Sequence, residues 1–221
     1  MRAFLIKYFT RASWGSSPRR LALSLHRFSQ VEADSGWQAL NLLYRTDDVD
    51  LQAELFKIAV EEAEHAELFR NLAQKIDPQA RAFLAQRERM DLYAAYGSVL
   101  NTLADISVSE MAVHDEFDKY GKATDNADVK ALFEKIKEDE ADHGNDTFDI
   151  LRRVAGDEKS FRSALRSASH RRMWRNYGFV SKGFGNFMMS ILTSLFYWSL
   201  GFLVLLFSGG RGVARQNVAG Q

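Results

Sequence analysis

Three pairs of residues recur at one offset. Glu32 and Glu110, Glu62 and Glu140, and His65 and His143 each lie 78 residues apart. Within each half, the first glutamate precedes a Glu-x-x-His by 30 residues. A duplicated helical hairpin requires one shared offset of this kind. A single Glu-x-x-His arises easily by chance in a Glu-rich helical chain, but two in this register do not. Each of these glutamates sits on a stripe with helical spacing. The stripes read Leu55, Ile58, Glu62, His65, Phe69, Leu72, then Leu103, Ile106, Glu110, Val113, Phe117, Tyr120, and then Phe133, Ile136, Glu140, His143, Thr147, Ile150. A looser one reads Leu25, Phe28, Glu32, Ser35, Ala39, Leu43. Such stripes face a core. A lone ionised carboxylate at the middle of each would be strongly disfavoured there. A metal is the natural compensation.

The breaks between stripes predict four helices within residues 21–155. Asp47–Asp50 offers caps for the second helix, and Asp77–Pro78 interrupts the chain after it. Gly121 can end the third helix, and Thr124–Asp125 can cap the fourth. The stretch Asp77–Ala95 is then a long crossover between helices two and three, much of it helical in pattern. Two short connections around one long crossover give an all-α four-helix bundle of ferritin-like topology. With two prolines in the chain, nothing obstructs long helices.

Glu62-Ala63-Glu64-His65 and Glu140-Ala141-Asp142-His143 each place Glu and His about one turn apart on one helix face. Four carboxylates and two imidazoles can hold two metal ions. This pattern resembles the ferritin-like di-iron carboxylate superfamily, over roughly residues 21–155. The resemblance implies a metal set of Glu32, Glu62, His65, Glu110, Glu140 and His143. It implies bridging roles for Glu62 and Glu140, terminal roles for Glu32 and Glu110, and one histidine per metal. Oxygen-rich ligation without thiolate suits two iron ions, and manganese equally on ligand softness. VEEAEHAELFRNL resembles the second-helix motif of rubrerythrins. Val113 departs from that family, which places a further Glu there. The order of four Glu and two His is also similar to the demethoxyubiquinone hydroxylases, whose helical domain docks to a membrane.

The neighbouring polar residues read differently. Glu61, Glu64, Glu67 and Asp142 fall off the stripes and are expected to be solvated. His114 follows Glu110 by one turn and is read as an ordinary satisfied histidine. Asp105 and Asp146 are candidates for orienting the ligand imidazoles. Tyr120 and Trp37 are expected to pack rather than to carry electrons. His26 and His170 lie outside the motif, near the flanks.

The charges are partitioned. All 29 acidic residues lie between Glu32 and Glu158, together with 14 basic ones. The flanks are purely basic, with six Lys/Arg before Glu32 and nine after Glu158. An acidic body makes nucleic acid an unsuitable partner, whereas basic flanks suit an anionic membrane surface. Phe187–Ser208 is 22 residues without charge, long enough to span a bilayer as a helix. Six basic residues from Arg162 to Lys182 precede it, and two follow it. The positive-inside rule then makes it a single-pass tail anchor, with the bundle on the cytoplasmic side. The N-terminal MRAFLIKYFTRASWGSSPRR lacks a secretory core. It reads as an interfacial amphipathic segment, a transit peptide or a frayed basic tail.

The expected organisation is a basic N-terminal segment over 1–20, the bundle over 21–156, a basic juxtamembrane linker over 157–186, the transmembrane helix over 187–208 and a polar tail over 209–221. With no cysteine in the chain, iron–sulfur and zinc-thiolate chemistry are excluded, and an external electron donor is expected. The functional expectation is a membrane-anchored di-iron oxidase or hydroxylase that uses O₂ or peroxide on a lipid, quinone or other apolar substrate. The alternatives are a rubrerythrin- or ferritin-like ferroxidase or peroxide scavenger, and a non-catalytic accessory subunit of a membrane complex. A homodimer would be compatible with each.

Overall fold

A computed structural model describes residues 2–83, 89–175, 189, 192 and 193. Every regular element among them is helical. The chain divides into two compact units, Met1–Arg172 and Met173–Gln221.

The first unit holds α1 (Arg2–Ser16), α2 (Pro18–Leu43), α3 (Val49–Ile76), α4 (Leu92–Tyr96), α5 (Val99–Ala123), α6 (Ala127–Ala155) and α7, which covers residues 158–172 here. The bundle is built from two hairpins, α2 with α3 and α5 with α6, which also touch through α3–α6 and α2–α5. The helix starts are set by side-chain caps. Asp48, Ser98 and Asn126 accept from the backbone N–H groups of Leu51, Asn101 and Val129 at 3.0, 3.2 and 3.0 Å. Each satisfies a donor that the first helical turn leaves orphaned. Gly156 ends α6 at φ 72°, a left-handed conformation that glycine adopts without steric cost. Gly121 ends nothing: α5 runs on to Ala123, and Gly121 is buried against Phe133, whose Cβ would lie 3.3 Å from an added methyl.

The core has two apolar layers. One includes Leu42, Leu55, Ile58, Leu103, Ile106 and Ile150. The other includes Leu25, Phe69, Phe117, Phe133 and Ile136. Along α3, α5 and α6 the glutamates fall between residues of the first layer and residues of the second. The carboxylate level is therefore closed by hydrocarbon on both sides.

Two expectations about the surrounding segments need correction. The N-terminal segment is not a frayed tail. Thr10 and Trp14 on α1 are buried, Trp14 stacks on Tyr120 and Phe133 at ring-centroid distances of 5.6 and 6.0 Å, and its indole donates to Ser24 Oγ at 3.0 Å. Arg11 adds a two-pronged pair with Asp125. Burying this large ring closes the aromatic layer, so Trp14→Ala should destabilise the protein by roughly 3–5 kcal/mol; equilibrium urea unfolding measures this. The crossover between α3 and α5 is helical over about half of its described residues, in one 3₁₀ turn at Ala80–Phe83 and the short α4, in keeping with its helical pattern. It is fixed to α2 by side chains: the Leu92 N–H donates to Gln38 Oε1 at 3.2 Å, and Asn41 donates to Asp91 at 2.9 Å. The segment read as a basic linker begins as helix α7. Its Phe161, Ala164 and Ala168 are buried against the first apolar layer, and Arg171 reaches Asp105 at 3.4 Å.

In the second unit, residues 173–175 are helical and Met173 and Trp174 are exposed. Among the described residues no helix is long and apolar enough to cross a membrane. The run Phe187–Ser208 lies outside the described residues, apart from 189, 192 and 193.

Candidate metal centre

α2 contributes Glu32, α3 contributes Glu62 and His65, α5 contributes Glu110, and α6 contributes Glu140 and His143. All six are buried, each at most 5% exposed. Two overlapping sets of atoms converge: His65, Glu140 and His143, and Glu32, Glu62, His65 and Glu140, with the donor atoms of each set within 4.8 Å of one another. His65 and Glu140 belong to both. Glu110 completes the ring beside Glu140 and accepts from Ser35 Oγ at 3.2 Å. The two imidazole rings lie 5.5 Å apart.

The donor atoms fit a metal pair better than they fit one another. Glu32 Oε1, both oxygens of Glu62 and of Glu140, and Nδ1 of His65 and His143 are buried without a hydrogen bond. His65 Nδ1 lies 3.1 Å from Glu140 Oε1, yet neither atom completes a hydrogen bond. Buried polar groups are nearly always satisfied. Seven orphaned atoms in one cluster, all of them anionic oxygens or imidazole nitrogens, are the donor set that a hard or borderline cation takes.

Electrostatics point the same way. Burial, the largest cause, pushes Glu32 up to about 7; the neighbouring Glu62 carboxyl pulls downward and the charge of Glu140 reinforces the rise. Burial, then the charges of Glu110, Glu32 and Glu140, holds Glu62 well above its ordinary range. Burial, then Glu140, does the same to Glu110. Burial would lower His65, but the Glu140 carboxylate beside it outweighs that and raises it. Without a cation the cluster must keep protons, and with one it can release them.

The imidazoles are oriented by residues that the sequence reading placed elsewhere. His143 Nε2 meets Glu61 Oε2 at 2.9 Å, and His65 Nε2 meets Asp139 Oδ2 at 3.3 Å. A carboxylate at Nε2 holds the proton there and leaves the Nδ1 lone pair facing the cluster. The bonds cross between helices: the acid on α3 holds the histidine of α6, and the acid on α6 holds that of α3. Glu61 and Asp139 are themselves 78 residues apart, each just before a cluster glutamate. Glu61 is therefore not merely a solvated charge, whereas Glu64 and Glu67 are exposed as expected. The Asp142 side chain lies outside those described. Asp105 and Asp146 do not orient the cluster histidines, whose Nε2 atoms face Asp139 and Glu61 and whose Nδ1 atoms carry no hydrogen bond. Asp105 pairs with Arg171, and Asp146 pairs with Lys57 at 3.0 Å. Asp139→Ala should weaken metal binding about 10–100-fold while leaving helix content intact; metal titration of the stripped protein reads this out.

Other residues singled out earlier lie off the cluster. His114 is 42% exposed at its side chain, with Asp115 3.7 Å away. Tyr120 packs in the aromatic layer, and Trp37 lies under the Arg89 guanidinium, 5.2 Å from its ring centroid. His26 is buried within α2.

Residues 44–151 match the Rubrerythrin family model. The rubrerythrin-type domain so defined contains Glu62, His65, Glu110, Glu140 and His143, while Glu32 lies upstream on α2. It supports a ferritin-like di-iron protein and implies a di-iron site. No curated protein and no solved structure matches the chain significantly.

Proposed function

We propose that this chain is a di-iron oxidoreductase that uses O₂ or peroxide to oxidise an apolar organic substrate at a membrane surface. The observation that carries the reading is the layer of four carboxylates and two imidazoles, closed between two apolar layers and left with orphaned donor atoms facing one another. Two iron ions held there by Glu32, Glu62, His65, Glu110, Glu140 and His143 would supply electron transfer to the oxidant. Glu61 and Asp139 fix the histidine tautomers, and the Phe69, Phe117 and Phe133 layer keeps water from one side. Manganese would be held by the same donors. The electrons come from an external reductant.

The membrane placement rests on sequence. The uncharged run Phe187–Ser208 follows a stretch after Glu158 that carries basic and no acidic residues. In this reading the run is a tail anchor and the bundle faces the cytoplasmic leaflet. Tethering raises the effective concentration of a catalyst at the bilayer and so favours an apolar substrate.

The rubrerythrin match favours a second reading, in which the substrate is peroxide or ferrous iron itself. Oxygen-electrode and product measurements on the ferrous, reductant-supplied protein separate the two. O₂ uptake that rises with added quinone or lipid, with an oxidised organic product, is the expected result. Peroxide turnover or Fe²⁺ oxidation with no organic product would replace the first reading with the second. Stable co-purification with partner subunits and neither activity would leave an accessory role.

A further inference from the structure

The two halves of the duplication are not equally closed. At the α2–α3 level, Gly36 brings its backbone so close that an added Cβ would lie 3.1 Å from both the Ala59 carbonyl oxygen and Glu62 Cβ. That contact seals the outer side of Glu62. The duplication puts His114 where Gly36 stands and Gly144 where the buried Ala66 stands. A Cβ added at Gly144 meets nothing within 4 Å. Here a cavity of about 410 Å³ opens between α5 and α6, lined by Met111, His114, Glu140, Gly144, Asn145 and Phe148. Glu140 is almost wholly buried, and both of its oxygens lack hydrogen bonds. The cavity therefore ends on an unsatisfied carboxylate shared by both converging donor sets.

We propose that this cavity is the substrate port of the site and that it takes a ring-sized molecule with one hydrogen-bonding group, of the phenol or hydroquinone class. The inference rests on the oxidoreductase reading for its chemistry, but on geometry for its location. Dioxygen or peroxide needs far less space, whereas cavities of roughly 300–1,000 Å³ are those that hold organic ligands. Met111 and Phe148 offer apolar walls for a ring. The half-exposed His114 imidazole offers a polar atom for a hydroxyl. A glycine is unfavourable in the interior of a 29-residue helix. At 144 its missing side chain is the space through which the ring passes.

The test measures 4-fluorophenol binding through its fluorine resonance, on the full chain with and without metal. Gly144→Leu fills the port from α6, and Met111→Trp narrows it from α5. Both should weaken 4-fluorophenol binding at least tenfold, while azide, a three-atom anion, still perturbs the absorption spectrum of the iron-loaded protein. Ala63→Leu, in a separate groove on α3 that no cluster residue lines, should leave 4-fluorophenol binding unchanged. Unchanged binding in both port variants would overturn the proposal, as would equal weakening by Ala63→Leu or no binding to the parent chain. If Gly144→Leu lowers metal content by crowding His143, Met111→Trp decides alone. A chain that takes no metal but loses 4-fluorophenol in the port variants keeps the port and sinks the oxidoreductase reading. Two bound metals with 4-fluorophenol binding insensitive to the port variants does the reverse.

Discussion

Glu62→Ala or His143→Ala should lower bound metal below two ions per chain, and Glu64→Ala should not. The three positions lie within the two Glu-x-x-His helices, yet only the first two place donor atoms inside the cluster; Glu64 is exposed. Loss of an orienting carboxylate costs about 10–100-fold in metal affinity, so loss of a direct ligand should exceed roughly 100-fold. The two variants should differ in kind. His143 belongs to one converging set, so one ion should persist at the set built on Glu32, Glu62, His65 and Glu140. Glu62 belongs to that other set and also lies 3.9 Å from His143 Nδ1, so its loss should weaken both. Metal analysis after dialysis, with circular dichroism as the control for folding, reads this directly. Two ions retained in both variants would remove the ligand assignment and the oxygen chemistry that depends on it.

The six cluster residues were legible in sequence because three independent signals agreed on them: helical period, apolar neighbours and one duplication offset. The bundle followed from the same period. What escaped was whatever depends on contacts between helices. Glu61 and Asp139 carry the duplication offset as clearly as the ligands do, but they fall off the apolar stripe of their own helix. Their role comes from a histidine on the facing helix, which periodicity within one helix cannot register. Asp105 and Asp146 stand at the same distance from their stripes, one residue before a stripe position, so sequence spacing does not separate the two pairs. Arg171 and Lys57 claim Asp105 and Asp146, one from a helix that was read as a linker.

The packing of the flanks against the bundle escaped for a related reason. Basic residues dominate α1 and α7, and charge composition suggested surface or membrane. A few apolar positions decide the packing in each: Thr10 and Trp14 on α1, and Phe161, Ala164 and Ala168 on α7. The spacing of three and four along α7 was a readable signal. The port between α5 and α6 had no such signal. Its presence depends on the difference between Gly36, which seals one half, and Gly144, which opens the other, and both are simply glycines in the sequence.

The stability of the metal-free protein should fall as pH rises, contrary to the usual behaviour of surface carboxylates. In the folded state Glu32 titrates near 7, while Glu62 and Glu110 titrate well above the 4.5 expected of an unfolded glutamate. A group whose folded value is raised binds its proton preferentially in the folded chain. Its stabilising contribution is complete below about 4.5 and is lost as pH passes through the folded value. His65, also raised, acts in the same direction from 6.5 upward. The physical cause is burial in a layer with hydrocarbon on both sides, where several carboxylates cannot all ionise together. Thermal unfolding of the stripped protein should therefore show a lower Tm at pH 8 than at pH 5, by on the order of 10 °C for a chain of this size. The loaded protein should behave oppositely, because the ions require the deprotonated ligands and are released as pH falls. The gap in Tm between the two forms then widens from pH 5 to pH 8. Replacing one charge, as in Glu62→Gln, should flatten the slope of the metal-free protein. A metal-free Tm that rises from pH 5 to pH 8 would mean that the carboxylates are solvated, and that the interior layer from which the metal centre is argued does not exist.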